Sequence, residues 1–78
     1  MTKTIHNSQY GKLISILIET RKKRGITQTA LASQIKKPQS FVSKYETGER
    51  RIDVIEFLEI SNAMKVDAIK IIKSLNSK

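Results

Sequence analysis

The sequence predicts a small all-α domain of five helices, and three kinds of observation support this prediction. Apolar side chains recur three and four residues apart in several segments, which is the period of a helix face. Thr27, Asp53 and Asp67 stand directly before such segments, where helix caps are expected. Gly25 and Gly48 stand where two of the segments end, and glycine is the residue that most readily takes the left-handed conformation of a helix stop.

The chain of 78 residues is long enough for one domain with a modest core. Residues 1–7 are polar and without period, so we predict a flexible tail there and the folded domain in residues 8–78. Cysteine is absent, which fits an intracellular, cytoplasmic protein. No apolar run approaches the roughly 18 residues of a membrane span, and His6 is the only histidine. We therefore expect no membrane association, no metal site and no cofactor.

The first helix is predicted to run from Ser8 or Gln9 to Arg24 and to end at Gly25. Its inner face is marked by side chains at helical spacing, namely Tyr10, Leu13, Ile14, Leu17 and Arg21. Ile16 and Ile18 widen the apolar arc beyond one face. Either this helix is deeply packed, or one of these two isoleucines contacts a partner subunit.

The second and third helices are predicted over residues 28–35 and 39–46, separated by a short turn that Pro38 interrupts. Helices joined so closely cross steeply, with the small Ala32 at the crossing. The third helix then projects one polar face, which carries Gln39, Ser40, Ser43 and Lys44. A projecting polar helix beside lysines and arginines suits the major groove of DNA.

The fourth helix is predicted to begin after Asp53, because Asp53 and Glu56 have the spacing of a capping box. It continues to position 63 or 64, and Phe57 with Leu58 is expected to form the core of this half of the domain. The acidic side chains, including Glu59, are interpreted as capping groups and a solvated face. A catalytic carboxylate pair is a remote alternative, because no pocket-forming elements accompany them.

The fifth helix is predicted over residues 68–75. Ile69 and Ile72 are expected to pack inward, which leaves Ile71 pointing elsewhere and Leu75 near the end of the chain. The surplus apolar surface at Ile71 and Leu75 is a candidate dimer contact. Equally, the terminal helix could lie flat on the core.

The positive charge is concentrated in one part of the chain. The formal net charge is +8; residues 21–51 hold nine basic and two acidic residues, a net of +7, whereas residues 52–78 hold four of each. Solubility alone does not require such clustering, so we favour binding to a nucleic acid.

Three segments carry a family resemblance: RKKRGITQTALA, QSFVSKYETGERR and ISNAMKV. They resemble the lambda-repressor-like (Cro/Xre) helix-turn-helix family, and the similarity covers about Tyr10 to Leu75. The positions at the family's spacing are Gln28, Ala32, Val42, Glu46 and Gly48. Lys36 departs from the pattern, since many members have the turn glycine there. The resemblance implies a compact five-helix DNA-binding domain, with the second and third helices forming the helix-turn-helix.

The resemblance, together with the charges, assigns roles to particular side chains. A structural ion pair is expected between Arg21 and Glu46. The residues expected to contact bases are Gln39, Ser40, Ser43 and Lys44. The residues expected to contact phosphates are Gln28, Lys37, Arg50 and Arg51.

The function predicted from the sequence is sequence-specific binding of double-stranded DNA by a transcriptional regulator. We expect a homodimer on an inverted-repeat operator and, as its effect, repression. No small-molecule ligand is evident. The alternatives are an antitoxin-like module that also binds a protein, a basic RNA-binding or membrane-surface peptide, and a small enzyme. The last is the weakest, because no nucleophile–base or metal constellation is present.

Overall fold

The computed structural model describes residues 8–76, which form five helices and no strand. The helices are α1 (Ser8–Lys23), α2 (Gln28–Gln34), α3 (Gln39–Thr47), α4 (Val54–Ala63) and α5 (Ala68–Asn76). The five-helix, all-α prediction is therefore confirmed. The predicted tail over residues 1–7, with His6, lies outside the described residues. None of the five helices is both long and apolar enough to cross a membrane.

The helix ends follow from local chemistry. Thr27 Oγ1 accepts a hydrogen bond from the amide of Ala30 at 3.0 Å and so caps α2. At α4 the capping box is complete, because the Asp53 carboxylate accepts from the Glu56 amide at 2.7 Å and the Glu56 carboxylate accepts from the Asp53 amide at 2.9 Å. Gly48 ends α3 with φ of 87°. The caps predicted at these three helix ends are confirmed.

Two turns are closed by lysines in the left-handed conformation. Lys36 has φ of 59° and Lys65 has φ of 61°. In both turns the amide of the next residue reaches back to a carbonyl five residues earlier, from Lys37 to Ala32 at 2.9 Å and from Val66 to Ser61 at 3.0 Å. This is the hydrogen-bonding pattern of a Schellman stop, which glycine usually occupies. A side chain at positive φ costs about 1 kcal/mol, which the hydrogen bonds of the turn offset.

The core draws on all five helices. Its members are Ile14, Leu17, Leu31, Ala32, Phe41, Val42, Tyr45, Phe57, Ile60, Met64 and Ile71. Ala32, 2% exposed, allows α2 and α3 to approach closely, as the short turn between them requires. Ile16 and Ile18 are half-buried and pack against this core. Both isoleucines therefore contribute to packing within the chain, and contact of one of them with a partner subunit stays a prediction.

The buried faces of α4 and α5 differ from the prediction. Leu58, Ile69 and Ile72 are 41%, 64% and 52% exposed, whereas Ile71 is only 8% exposed and belongs to the core. The inward assignment of Leu58, Ile69 and Ile72 was wrong, and so was the assignment of Ile71 to a surface dimer contact. Leu75, the other predicted dimer residue, is half-buried.

The packing of α5 against α1 explains this difference. The side-chain amide of Gln9 donates to the Leu75 carbonyl at 3.0 Å, and Lys12 donates to the Ser74 carbonyl at 3.3 Å. With its carboxyl end held there, α5 turns Ile71 into the core and leaves Ile69 toward solvent. The apolar pattern of α5 is compatible with either rotation, so contact with α1 decides between them.

Candidate nucleic-acid interface

The two faces of α3 differ sharply in burial. Phe41, Val42 and Tyr45 are 7% exposed or less and anchor the helix in the core. On the other side, Gln39, Ser40 and Lys44 are exposed and Ser43 is half-buried. The four residues predicted to contact bases thus lie on the outer face of α3, and the opposite face of this helix is anchored in the core.

The amino end of α3 presents backbone donors. Pro38 is the N-cap residue and provides no side-chain acceptor. The first amides of a helix have no acceptor within the helix, and the helix dipole makes this end attractive to an anion. Lys37 precedes it, with its ammonium 5.3 Å from the centre of the Phe41 ring. This end of α3 therefore combines backbone N–H groups with a nearby cation.

A buried ion pair connects α1 to the end of α3. Arg21 Nε lies 2.7 Å from Glu46 Oε2, and Arg21 Nη2 lies 3.1 Å from Glu46 Oε1. A third donor, Arg21 Nη1, reaches the Ile26 carbonyl at 2.8 Å. The hydrogen bond to Glu46 raises the pKa of Arg21 above its ordinary value. The two predicted partners are thus in bidentate contact, the geometry that most strongly fixes a guanidinium on a carboxylate.

Two glutamines extend this ion pair to the surface. Gln28 Nε2 donates to Glu46 Oε1 at 2.9 Å, and Gln39 Nε2 donates to Gln28 Oε1 at 2.7 Å. A carboxylate only accepts hydrogen bonds, so it orients the Gln28 amide, which in turn orients the Gln39 amide. We call these four side chains the polar network: Arg21, Glu46, Gln28 and Gln39. Among the residues that the structure describes, Gln39 Oε1 and one N–H of Gln39 have no further partner and can bond elsewhere.

A second cluster holds the loop after α3. Arg50 donates to both carboxylate oxygens of Glu56, at 3.0 and 3.1 Å, and its guanidinium carbon lies 4.9 Å from the centre of the Phe41 ring. Hydrogen bonds from Arg50 and from the Asp53 amide lower the pKa of Glu56, and the bond to Glu56 raises the pKa of Arg50. We call Arg50, Glu56 and Phe41 the Arg50 cluster. It joins α3 to the start of α4.

Arg51 is held by a different neighbour. Its guanidinium carbon lies 4.0 Å from the centre of the Tyr10 ring of α1, and the Tyr10 hydroxyl accepts from the Ile52 amide at 3.3 Å. Stacking on an aromatic ring orients an arginine while leaving its N–H groups accessible at the ring edge. Both arginines predicted at phosphates therefore have defined positions. The roles of Tyr10, Phe41 and Glu56 in orienting these arginines were not predicted from the sequence.

In the part of the chain that the structure describes, the acidic side chains do not gather into a metal site. Within residues 8–76, no group of three His, Cys, Asp or Glu side chains is placed to hold a metal ion. Glu56, one of the two acidic residues of α4, is used by the capping box and by the Arg50 cluster. The chemistry available at this surface is hydrogen bonding and positive charge.

Known proteins identify the family. The helix-turn-helix family model matches residues 17–71 of this chain. The solved structure of an XRE-family like protein from Pseudomonas syringae pv. tomato str. DC3000 is 45% identical, with a TM-score of 0.87 over 94% of this chain and 89% of that chain. The chain belongs to the Xre helix-turn-helix family. A search of curated proteins gave no match.

Membership of the Xre family confirms the resemblance found in the sequence. Xre proteins are DNA-binding transcription regulators and not enzymes, so this chain has the fold and the exposed helix of a DNA-binding regulator. Within this fold, α2 and α3 form the helix-turn-helix, and α3 is the helix that lies in the groove in proteins of this architecture.

Proposed function

We propose that this Xre protein binds a specific double-stranded operator as a homodimer, with α3 in the major groove, and represses transcription. The observation that carries the proposal is the orientation of Gln39. Its amide stands on the exposed face of α3 and is held, through Gln28, by a carboxylate that is itself fixed by Arg21. A polar side chain fixed in this way is prepared to discriminate between bases.

Base reading follows from what each side chain can donate and accept. The free oxygen and N–H of Gln39 match the N6 amino group and N7 of adenine, and Lys44 can donate to O6 and N7 of guanine. Ser40 and Ser43 can bond to either base and contribute less discrimination. One copy of α3 would therefore read a half-site of a few base pairs.

Phosphate contacts supply affinity and register. Arg51, stacked on Tyr10, and Lys37, next to the amino end of α3, carry positive charge on either side of the proposed base-reading face. Gln28 retains one N–H for a phosphate at the amino end of α2, and Arg50 is 46% exposed beyond its bond to Glu56. These contacts bind all sequences alike and make binding sensitive to salt.

The need to recognise a rare DNA sequence favours a homodimer, and a homodimer bound at a promoter favours repression. A single half-site is too short to be rare in a genome, whereas two half-sites about 34 Å apart are read by a two-fold dimer. A dimer bound across a promoter blocks access of the polymerase, which is repression by occlusion. The matched Xre-family protein comes from a bacterium, whose chromosome lies in the cytoplasm, and we propose the same location for this protein.

Selection of bound duplexes from a random library tests the proposal. Run at two salt concentrations, it should yield an inverted repeat for the wild type, and Gln39→Ala or Lys44→Ala should relax the preference at one or two base pairs of each half-site by roughly 1–3 kcal/mol. Gln34→Ala is the matched control, because Gln34 is an exposed glutamine on α2. Recovery of the wild-type motif with Gln39→Ala would refute its role, and the absence of any motif would indicate non-specific nucleic-acid binding.

A further inference from the structure

The three basic side chains proposed at phosphates differ in their acidic neighbours. Arg50 forms a salt bridge with Glu56, in which Arg50 Nη1 lies 3.0 Å from Glu56 Oε1. Lys37 and Arg51 lie against aromatic rings, and among the described residues no carboxylate is within salt-bridge distance of either. Within residues 8–76, Arg50 is therefore the one of the three whose positive charge is matched by a carboxylate.

The carboxylate of Glu56 is held in place independently of Arg50. It accepts a hydrogen bond from the Asp53 amide at 2.9 Å as part of the capping box that begins α4, and its side chain is only 12% exposed. Hydrogen bonds from Arg50 and from the Asp53 amide lower its pKa, and the charge of Lys37 adds to this effect, so the carboxylate is ionised at neutral pH. A phosphate that approaches Arg50 therefore meets a fixed negative charge.

The guanidinium of Arg50 is also fixed, and its contacts leave one donor available. Nη1 donates to Glu56 Oε1 and to the Arg51 carbonyl, both at 3.0 Å, and Nη2 donates to Glu56 Oε2 at 3.1 Å. The guanidinium carbon lies 4.9 Å from the centre of the Phe41 ring. Among the described residues the Nε–H group has no acceptor, and the side chain is 46% exposed. Arg50 can thus donate to a phosphate while it stays bonded to Glu56.

We propose that Glu56 is the internal counter-ion of Arg50 and thereby limits how strongly this surface binds DNA of any sequence. The inference rests on the proposed function, because it concerns the phosphate contacts of the same surface. With Glu56 ionised, Arg50 supplies a positioned hydrogen-bond donor but no net charge, so a phosphate beside it keeps its own counter-ion. Lys37 and Arg51 then carry the salt-dependent part of the affinity.

The consequence is weaker binding to random DNA. Each neutralised phosphate adds about 0.9 to the slope of log K against log salt concentration, which is roughly eightfold in affinity between about 1 M and about 0.1 M salt. Matching the charge of Arg50 removes one such contribution from every duplex, because phosphates carry no base identity. The net charge of residues 21–51 accordingly overstates the field at α3, since Glu56 lies outside that stretch. Base reading by Gln39 and Lys44 is unaffected.

Glu56→Gln in the full chain tests this role, with Glu59→Gln as the matched control. Glutamine keeps an oxygen that can accept from the Asp53 amide but has no charge to match Arg50. Binding to a random-sequence duplex, titrated over a range of salt, should show a slope steeper by about 0.9 and an affinity about eightfold higher at about 0.1 M salt. Glu59→Gln removes the same charge from an exposed position of α4 outside the Arg50 cluster and should keep the wild-type slope.

A double variant identifies Arg50 as the source of the added charge. Arg50→Gln combined with Glu56→Gln should restore the wild-type slope, because this place in the protein again has no net charge. The double variant also decides the question without the single one, since a slope about 0.9 shallower than that of the wild type would mean that Arg50 neutralises a phosphate. Circular dichroism melting checks that each variant is folded.

The outcomes separate this inference from the proposed function. Salt-dependent binding by the wild type with an unchanged slope for Glu56→Gln would overturn the counter-ion role alone. An equal increase in slope for Glu56→Gln and Glu59→Gln would also overturn it, because the effect would then belong to the net charge of the chain. A wild-type chain that binds no duplex would contradict the proposed function, and this inference with it.

Discussion

At the scale of single residues, Glu46 is the buried acceptor on which the polar network depends. Its carboxylate accepts two hydrogen bonds from Arg21 and one from Gln28, and its side chain is only 6% exposed. A buried charge of this kind is tolerated because all its partners are present. Removing the carboxylate leaves the guanidinium of Arg21 buried without its counter-charge.

Glu46→Ala should therefore reduce the free energy of unfolding by roughly 3–5 kcal/mol, the usual cost of leaving half of a buried ion pair. Urea unfolding measures this, with Glu49→Ala as the control because Glu49 is an exposed carboxylate just beyond α3. The double variant Arg21→Met with Glu46→Leu removes both charges and should lose less stability than Glu46→Ala. If Glu46→Ala and Glu49→Ala have equal free energies of unfolding, the ion pair between Arg21 and Glu46 contributes nothing to stability.

Removal of the hydroxyl group is expected to affect stability differently at the two tyrosines of the chain. The Tyr45 hydroxyl is fully buried and has no hydrogen-bond partner among the described residues, whereas the Tyr10 hydroxyl accepts from the Ile52 amide. Burial raises the pKa of Tyr45, so this hydroxyl stays neutral in ordinary buffers. Tyr45→Phe should leave stability unchanged or raise it by about 1 kcal/mol, and Tyr10→Phe should lower it by about 1 kcal/mol. Thermal melts of both variants test this order of stability. A Tyr45→Phe protein that is less stable than the Tyr10→Phe protein would contradict the prediction.

At the scale of helices, two sets of side-chain contacts hold α3 in place, one on each side of it. The polar network ties it to α1 and α2, and the Arg50 cluster ties it to the start of α4. The capping box at α4 shares Glu56 with that cluster, so the same carboxylate begins one helix and positions the loop after another. This arrangement sets the direction of α3 relative to the rest of the domain.

The Arg50 cluster predicts a pH dependence of stability. Its hydrogen bonds lower the pKa of Glu56 in the folded chain, so the unfolded chain takes up a proton more readily. The stabilisation is complete above the unfolded pKa of about 4.3, declines as the pH falls and is lost below the folded pKa. The stability difference between wild type and Glu56→Gln should therefore narrow between pH 7 and pH 3 in urea unfolding. Glu59→Gln, three residues further along α4 and outside the cluster, should show no such narrowing.

At the scale of the whole molecule, positive charge and apolar surface occupy different regions. The net charge of +7 in residues 21–51 surrounds α3, whereas the exposed isoleucines of α5 follow in a stretch with no net charge. This separation allows one surface to face a polyanion and another to face a protein. It also means that electrostatic attraction acts mainly on the side that carries the helix-turn-helix.

Salt dependence should report the phosphate contacts directly. Arg51→Ala should reduce the slope of log K against log salt concentration by about 0.9, because one fewer phosphate is neutralised. Affinity for all sequences should fall in parallel, since phosphates carry no base identity. Lys70→Ala removes an exposed charge from α5 and serves as the control with an unchanged slope. An unchanged slope for Arg51→Ala would place Arg51 away from the DNA backbone.

Some features of the molecule depend on residues that are close together in the chain, and these could be predicted. Thr27, Asp53 and Gly48 mark helix ends through contacts within three or four residues, so sequence alone located α2, α3 and α4 to within a residue or two. The positive charge near α3 is likewise visible in the sequence. The Arg21–Glu46 pair became predictable only through the family resemblance, because its partners are 25 residues apart.

The sequence by itself thus determined the number of helices, their ends and the polar composition of the exposed α3 face. Only the tertiary structure decided which faces of α4 and α5 are buried and how the Gln39 amide is oriented. Apolar periodicity gives the width of a helix face but not its rotation, which for α5 is set by contact with α1. The links from Gln39 to Gln28 and from Gln28 to Glu46 span 11 and 18 residues, so they exist only once the helices have packed.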